Sequence, residues 1–176
     1  LPNNYQKVID AYREMEAAGQ LKIRVYEQCN LPSPTKITHF LKAGYHTGWG
    51  SERFRLGPLK LLADGALGAR TAYLREPYSD QPGTCGLCLF SQEELNTMIA
   101  MCHKAGMQVA IHAIGDRAMD MVLDGIQQAK EAYPRKDERH GIIHCQITHH
   151  EQLDRMKAMD LLAYIQPIFL NYDISI

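Results

Sequence analysis

The chain has 176 residues, enough for one domain with a real core, and its composition, 45% hydrophobic and 22% charged, is that of a globular protein. A formal net charge of −1 without a long basic run removes the electrostatic footing for nucleic-acid binding. No apolar segment nears the roughly 20 residues needed to span a bilayer, and Leu1-Pro2-Asn3-Asn4-Tyr5 lacks the charged and apolar regions of a signal peptide. Five cysteines, Cys29, Cys85, Cys88, Cys102 and Cys145, form no framework, and an odd count of this kind points to reduced thiols and a cytoplasmic setting. The first residue is Leu1 rather than Met, and the sequence stops abruptly at Asp173-Ile174-Ser175-Ile176, which suggests a segment of a longer polypeptide.

In chain order, Val8, Ile9, Tyr12 and Met15 recur at helical spacing over residues 4–18, with Gly19 as a stop. Leu21-Lys22-Ile23-Arg24-Val25-Tyr26 alternates at period two and predicts a strand. Pro32-Ser33-Pro34 opens a helix over 35–44 through Ile37, Phe40 and Leu41. A glycine-rich loop over 44–50 follows, and Leu59-Lys60-Leu61-Leu62-Ala63-Asp64 predicts the second strand. Residues 65–90 are too polar and too rich in Gly and Pro for a core element, and a loop of that length is usually functional.

Ser91-Gln92-Glu93-Glu94 is a capping box, and Leu95, Met98, Ile99 and Cys102 form the buried stripe of the helix it starts. Gly106 ends that helix. Met107-Gln108-Val109-Ala110-Ile111 is then a mostly apolar run, as in a strand covered on both faces, and it delivers His112, Gly115, Asp116 and Arg117. A helix from Gly115 or Asp116 carries Met119, Val122, Leu123 and Ile126 to about Ala132. Pro134 to Arg139 is a charged surface turn, with His140 beside it expected in solvent. Gly141-Ile142-Ile143-His144-Cys145 is a strand, His149 to Met159 a surface helix, and Leu162-Ala163-Tyr164-Ile165-Gln166 the last strand. Helices and strands alternate with short connections, which argues a parallel α/β sheet of five strands, either open and doubly wound or part of a closed barrel.

Ligands in such sheets bind where strands end and loops begin. His112 and His144 lie near the ends of successive strands, and imidazole suits zinc and other transition metals. Lys60 sits in an apolar strand, where an amine is costly unless paired or chemically altered. It could join the histidines only as a neutral amine or as a carbamate, whose two oxygens could bridge two metals. Asp64 and Asp116 follow strands, where either could orient a ligand, bind substrate or act as a base, while Asp116 could equally cap its helix. Arg70, in the long loop, could meet a carboxylate or carbonyl. Cys85-Gly86-Leu87-Cys88 is a CxxC pair, but it lies in a loop rather than at a helix start and has no second pair to complete a zinc ribbon. The competing readings are therefore a metal-dependent enzyme, a non-catalytic α/β binding module and a thiol oxidoreductase.

Taken together, Lys60-Leu61-Leu62-Ala63-Asp64-Gly65-Ala66-Leu67-Gly68-Ala69-Arg70-Thr71-Ala72, Glu76-Pro77-Tyr78-Ser79-Asp80, His112-Ala113-Ile114-Gly115-Asp116-Arg117-Ala118, His144-Cys145-Gln146 and Gln166-Pro167 resemble the amidohydrolase superfamily. The nearest branch is amidohydrolase family 3, which includes N-substituted formamide deformylase-like enzymes. The resemblance runs over nearly the whole chain. It implies a TIM-type (β/α)8 metal-dependent barrel with a small β-sandwich, of which residues 1–176 are a central part with the flanking strands and the sandwich outside. It further implies hydrolysis of C–N bonds in a small amide-type substrate by a metal-activated water. A divalent metal, zinc in one or two ions, would be held by Lys60, His112 and His144, with Lys60 carboxylated. Asp64, Arg70, Asp116 and Gln166 would face the substrate. The family's early His-x-His pair and late catalytic Asp are absent from these residues, so no catalytic acid or base lies in the segment, which is expected to be inactive alone. Gly141 and Ile143 stand where the family usually has Arg and Glu. An open barrel would leave two sheet edges, and association through them is expected.

Overall fold

The structure, a computed structural model, describes residues 4–169 and 171. In chain order these form α1 (Asn4–Ala17), β1 (Val25–Glu27), α2 (Pro34–Lys42), β2 (Phe54–Leu56), β3 (Leu59–Leu62), α3 (Gln92–Lys104), β4 (Val109–Ala113), α4 (Asp116–Ala132), β5 (Gly141–His144), α5 (His150–Ala158) and β6 (Leu162–Tyr164). Every strand pairing is parallel: β1 with β2, and β3, β4, β5 and β6 in that order. Only Gly57 and Pro58 separate β2 from β3, and Asn30 beyond β1 bridges in parallel to Lys60. Residues 54–62 are thus one pass of chain, broken at a proline that has no N–H to give the ladder. Five parallel passes result, the parallel α/β sheet that the alternation of elements implied and the partial TIM-type barrel that the family resemblance implied.

The first expected strand required correction. Only Val25–Glu27 is strand, and Ile23 is 68% exposed. The backbone N–H groups of Gln20 and Leu21 both turn back to the carbonyl of Met15, with Gly19 at φ +67. That left-handed stop folds residues 19–21 onto the end of α1 and drives Leu21 into the core, so extension begins only afterwards. The short strand Phe54–Leu56 was not anticipated. The last strand ends at Tyr164, before Gln166.

The helices follow their sequence signals. Ser33 caps α2 by accepting from the Lys36 amide, with Pro34 in the first turn, which begins that helix one residue early and closes it at Lys42. The Ser91–Glu94 capping box is formed in both directions. Leu95, Met98, Ile99 and Cys102 of α3 and Met119, Val122, Leu123 and Ile126 of α4 are all buried in the main core. Gly125 permits the close approach of these helices, because a Cβ there would lie 2.7 Å from Ile99 Cδ1. No helix among the described residues is long and apolar enough to cross a membrane.

His140, expected in solvent, is buried in a pair with His103, Nδ1 of His103 lying 2.8 Å from Nε2 of His140. The hydrogen-bond pattern fixes both tautomers. The Val109 amide donates to His140 Nδ1, so Nε2–H of His140 donates to His103 Nδ1, and Nε2–H of His103 donates to the Tyr133 carbonyl. Burial pushes both rings below the usual histidine range, His140 to about 3, and each is a neutral relay element.

Candidate metal centre

Residues paired across parallel strands share a face, and successive residues alternate. Leu59, Leu61, Val109, Ile111, Ala113 and Ile142 are essentially inaccessible, on the face covered by the helices. Lys60, Leu62, Ala110, His112, Gly141, Ile143, Leu162 and Tyr164 share the opposite face. By register His144 pairs with Ala113 and belongs with Ile142, under the helices. It does not point there. His144 has φ +77 and Cys145 φ +50, and this left-handed reversal at the strand end swings the imidazole toward His112. The ring centroids lie 4.6 Å apart at an interplanar angle of 78°. A bulky residue is rarely held in that backbone region, and such positions cluster at functional sites.

Each imidazole is oriented from behind. His112 Nε2 is 2.7 Å from the Gly65 carbonyl oxygen and 3.2 Å from Asp64 Oδ1. A carbonyl can only accept, so Nε2 carries the proton and Nδ1 of His112 keeps its lone pair. His144 Nδ1 lies 2.7 Å from Gln166 Oε1, and the Gln166 amide donates to the Tyr164 carbonyl at 3.0 Å. Metal-binding histidines characteristically donate their second N–H to a carbonyl or carboxylate in this way. Burial holds the His144 pKa below the usual range, with the nearby His112 and Lys60 lowering it further, which favours the neutral ring. Burial likewise lowers the pKa of Lys60. Among the described residues no three His, Cys, Asp or Glu side chains gather as a metal-holding group, so any further protein ligand must come from Lys60 or from outside the described residues.

Asp64 is 1% exposed and its carboxylate is turned inward. Oδ1 accepts from the Ile114 amide, and Oδ2 from the amides of Tyr73 and Gly115. One side chain therefore ties β3, the long loop and the end of β4 together beneath His112. Asp116 is also spent within the protein. It accepts from the amides of Arg75 and Arg117, and Oδ2 lies 2.9 Å from His149 Nε2. The α4 cap is Gly115, without a side-chain hydrogen bond. Arg70 grips Asp80 through Nε and a terminal nitrogen and donates to the Gly68 carbonyl, so it is engaged within its own loop.

Residues 65–90 contain no helix or named strand and lie at the carboxyl ends of β3 and β4. They carry a small core of their own, Ala72 and Tyr78 against Ile114. Arg75 staples the loop to Asp120 of α4 at 2.7 Å and to Glu151 of α5 at 2.8 Å. Cys85 and Cys88 are free thiols, and Cys88 bridges through its backbone to Asp64, three residues before the α3 cap. Sequence reasoning missed Arg75, the Gly65 carbonyl and the His149–Asp116 contact. No local pattern marks an arginine inside a loop, and a carbonyl has no sequence signature.

The parallel α/β barrel segment, with two imidazoles converging at its strand ends, shares its fold with metal-dependent hydrolases. The chain belongs to the amidohydrolase family, whose model matches residues 2–175. It is 42% identical over 118 residues to YtcJ of Bacillus subtilis strain 168, assigned to the amidohydrolases, a match covering 66% of this chain and 22% of YtcJ. Protein LONG AFTER FAR-RED 3 of Arabidopsis thaliana is 38% identical over 123 residues, 70% of this chain and 21% of its own length. An uncharacterized metal-dependent hydrolase from Pyrococcus furiosus superposes with a TM-score of 0.81 at 32% identity, covering 95% of this chain and 33% of that one. The counterpart from Pyrococcus horikoshii gives a TM-score of 0.80 at 34% identity, covering 95% of this chain and 32% of the other. The chain thus spans between a fifth and a third of the length of these relatives.

Proposed function

We propose that residues 1–176 are the central part of an amidohydrolase barrel, in which Lys60, His112 and His144 hold a divalent metal, zinc, for hydrolysis of a C–N bond in a small amide-type substrate. The observation that carries this reading is the convergence of His112 and His144 at 4.6 Å between centroids, with a backbone reversal spent on turning the second ring toward the first. When bound, the metal would polarise the scissile carbonyl and lower the pKa of a coordinated water towards ~7. The chain's own residues orient both rings. Lys60 stands on the same face, and its depressed pKa favours the neutral amine that can add carbon dioxide, forming an N–C bond and losing a proton to give a carbamate.

The distribution of hydrogen bonds changes the roles first expected of the polar residues. Asp64 orients His112, Asp116 ties α4 to Arg75 and His149, and Arg70 braces the loop. A catalytic acid or base would come from the remainder of the polypeptide, so this segment alone would be inactive, in a cytoplasmic protein. Exposed Leu162, Ile165 and Ile168 beside β6 favour association through that edge, with the rest of the barrel or a second copy. Metal analysis and hydrolysis of N-acyl substrates by the parent polypeptide test the reading. Stoichiometric metal, lost together with activity in His112→Ala and His144→Ala, is expected. A metal-free parent that hydrolyses at full rate would overturn it.

A further inference from the structure

We propose that Gln166 is a positioning residue that locks His144 in its Nδ1–H tautomer, so that Nε2 is the nitrogen His144 offers to the metal. Gln166 had been expected to face the substrate; both ends of its amide are instead committed. Its Nε2 donates to the Tyr164 carbonyl, which accepts only, and this sets which end of the amide is oxygen. Oε1 then lies 2.7 Å from His144 Nδ1, and a carboxamide oxygen also accepts only, so the proton resides on Nδ1. The ring has little freedom to answer otherwise, because its backbone sits at φ +77 and its other neighbours are the His112 ring and the Phe169 ring, 6.0 Å away and nearly parallel.

The assignment acquires meaning beside His112. There the Gly65 carbonyl holds Nε2–H, leaving Nδ1 as the free nitrogen. The two rings therefore keep unlike nitrogens out of these hydrogen bonds, Nδ1 on β4 and Nε2 at the end of β5. If His144 took the opposite tautomer, its Nε2 would bear a proton and its lone pair would face the Gln166 oxygen. That repels at the back and removes a donor at the front. Gln166 lies two residues beyond β6, so the strand that closes this end of the sheet also sets the chemistry of the strand before it.

This inference rests on the metal reading above, and its test separates the two. Long-range 1H–15N correlation spectra of the 15N-histidine-labelled, metal-free parent polypeptide at pH 8 report the tautomer directly. The parent is expected to show His144 protonated on Nδ1. Gln166→Leu, which deletes the acceptor, is expected to move the proton to Nε2, whereas Gln166→Glu, which keeps an acceptor, is expected to retain it on Nδ1. Zinc affinity, from competition with a chromophoric chelator, should fall 10–100-fold in Gln166→Leu, the range seen when such supporting hydrogen bonds are removed, and not in Gln166→Glu. An Nε2–H tautomer in the parent, or an unchanged tautomer in Gln166→Leu, would overturn the role of Gln166 whatever the metal does. The expected tautomers in a parent polypeptide that binds no zinc would instead count against the metal reading and leave the positioning role intact. A Gln166→Leu variant that fails to fold leaves the parent and Gln166→Glu spectra to decide.

Discussion

Replacing Asp64 by Asn changes one atom and should cost far more than a surface substitution. The carboxylate meets three backbone amides and faces His112: Ile114 at 3.1 Å and His112 Nε2 at 3.2 Å on Oδ1, Tyr73 at 3.0 Å and Gly115 at 2.8 Å on Oδ2. An asparagine brings one oxygen and one NH2. With the NH2 at the Oδ2 position, the amides of Tyr73 and Gly115 both face a donor; at the Oδ1 position, Ile114 and His112 do. In a site 1% exposed, the first placement leaves two backbone amides unsatisfied; the second leaves that of Ile114, since His112 Nε2 retains the Gly65 carbonyl, and gives the other two a neutral acceptor in place of a charged one. Hydrogen bonds to charged groups contribute about 1.5–3 kcal/mol each, so allowing for relaxation the loss should be about 2–4 kcal/mol. With a urea m-value of about 2 kcal/mol/M, the denaturation midpoint falls by about 1–2 M. Asp80→Asn is the control, since Asp80 is exposed and engages only its own loop. A midpoint for Asp64→Asn within ~0.2 M of the parent would refute the clamp assigned to this carboxylate.

Other outcomes follow from the same contacts. His140 has a folded-state pKa of about 3 against 6.5 in the open chain, so the unfolded state binds more protons between these values. Stability should therefore be fully present above pH 6.5 and decline as pH falls, by up to about 1.4 kcal/mol per pH unit; His140→Gln should flatten that slope, and an identical slope in both proteins would contradict the assignment. In Gly115→Ala the new Cβ would lie 2.0 Å from the Tyr73 carbonyl oxygen, a backbone atom that cannot swing away. A loss of about 1–3 kcal/mol in chemical denaturation is expected, with faster proteolysis within residues 65–90. Arg75→Met removes the staple to Asp120 and Glu151. Since Arg75 is partly exposed, global stability should drop by only about 1 kcal/mol while cleavage of the loop accelerates several-fold; an unchanged cleavage rate would show that the loop is held by its small core alone.

How far the sequence spoke depended on the range of the interaction. The Ser91–Glu94 box, the buried stripes of α3 and α4 and the doubly covered β4 are local patterns, and all appear as read. Phe54-Arg55-Leu56 alternates inward and outward correctly, but three residues between glycine-rich turns are too few to declare a period. His140 was misread because the charged run before it is local, while its partner His103 is 37 residues away. The side on which His144 lies was beyond any periodicity argument. Strict alternation puts it with Ile142, and the left-handed φ that reverses it is uncommon for any residue but glycine and carries no local sequence mark here. The convergence of His112 and His144 was legible only from their shared position at strand ends and from the family pattern. The roles of Asp64 and Gln166 depended on which atoms their neighbours present.

The docking of residues 65–90 limits where new specificity can arise. The entry of this segment is shared with the two-histidine site, because Gly65 supplies the acceptor for His112 and Asp64 holds Tyr73. Its exit is sewn back to its own entry, Leu87 donating to Thr71 and Leu89 to Ala63, just beyond β3. A transplanted loop that kept the barrel but changed these ends would arrive without the carbonyl that sets the His112 tautomer, and the ring would lose its orientation before any substrate was met. Residues 79–83 are exposed and free of those duties. Sequence drift and engineering alike can therefore rewrite the crown of the loop, while its stem is inherited with the two histidines as a single unit.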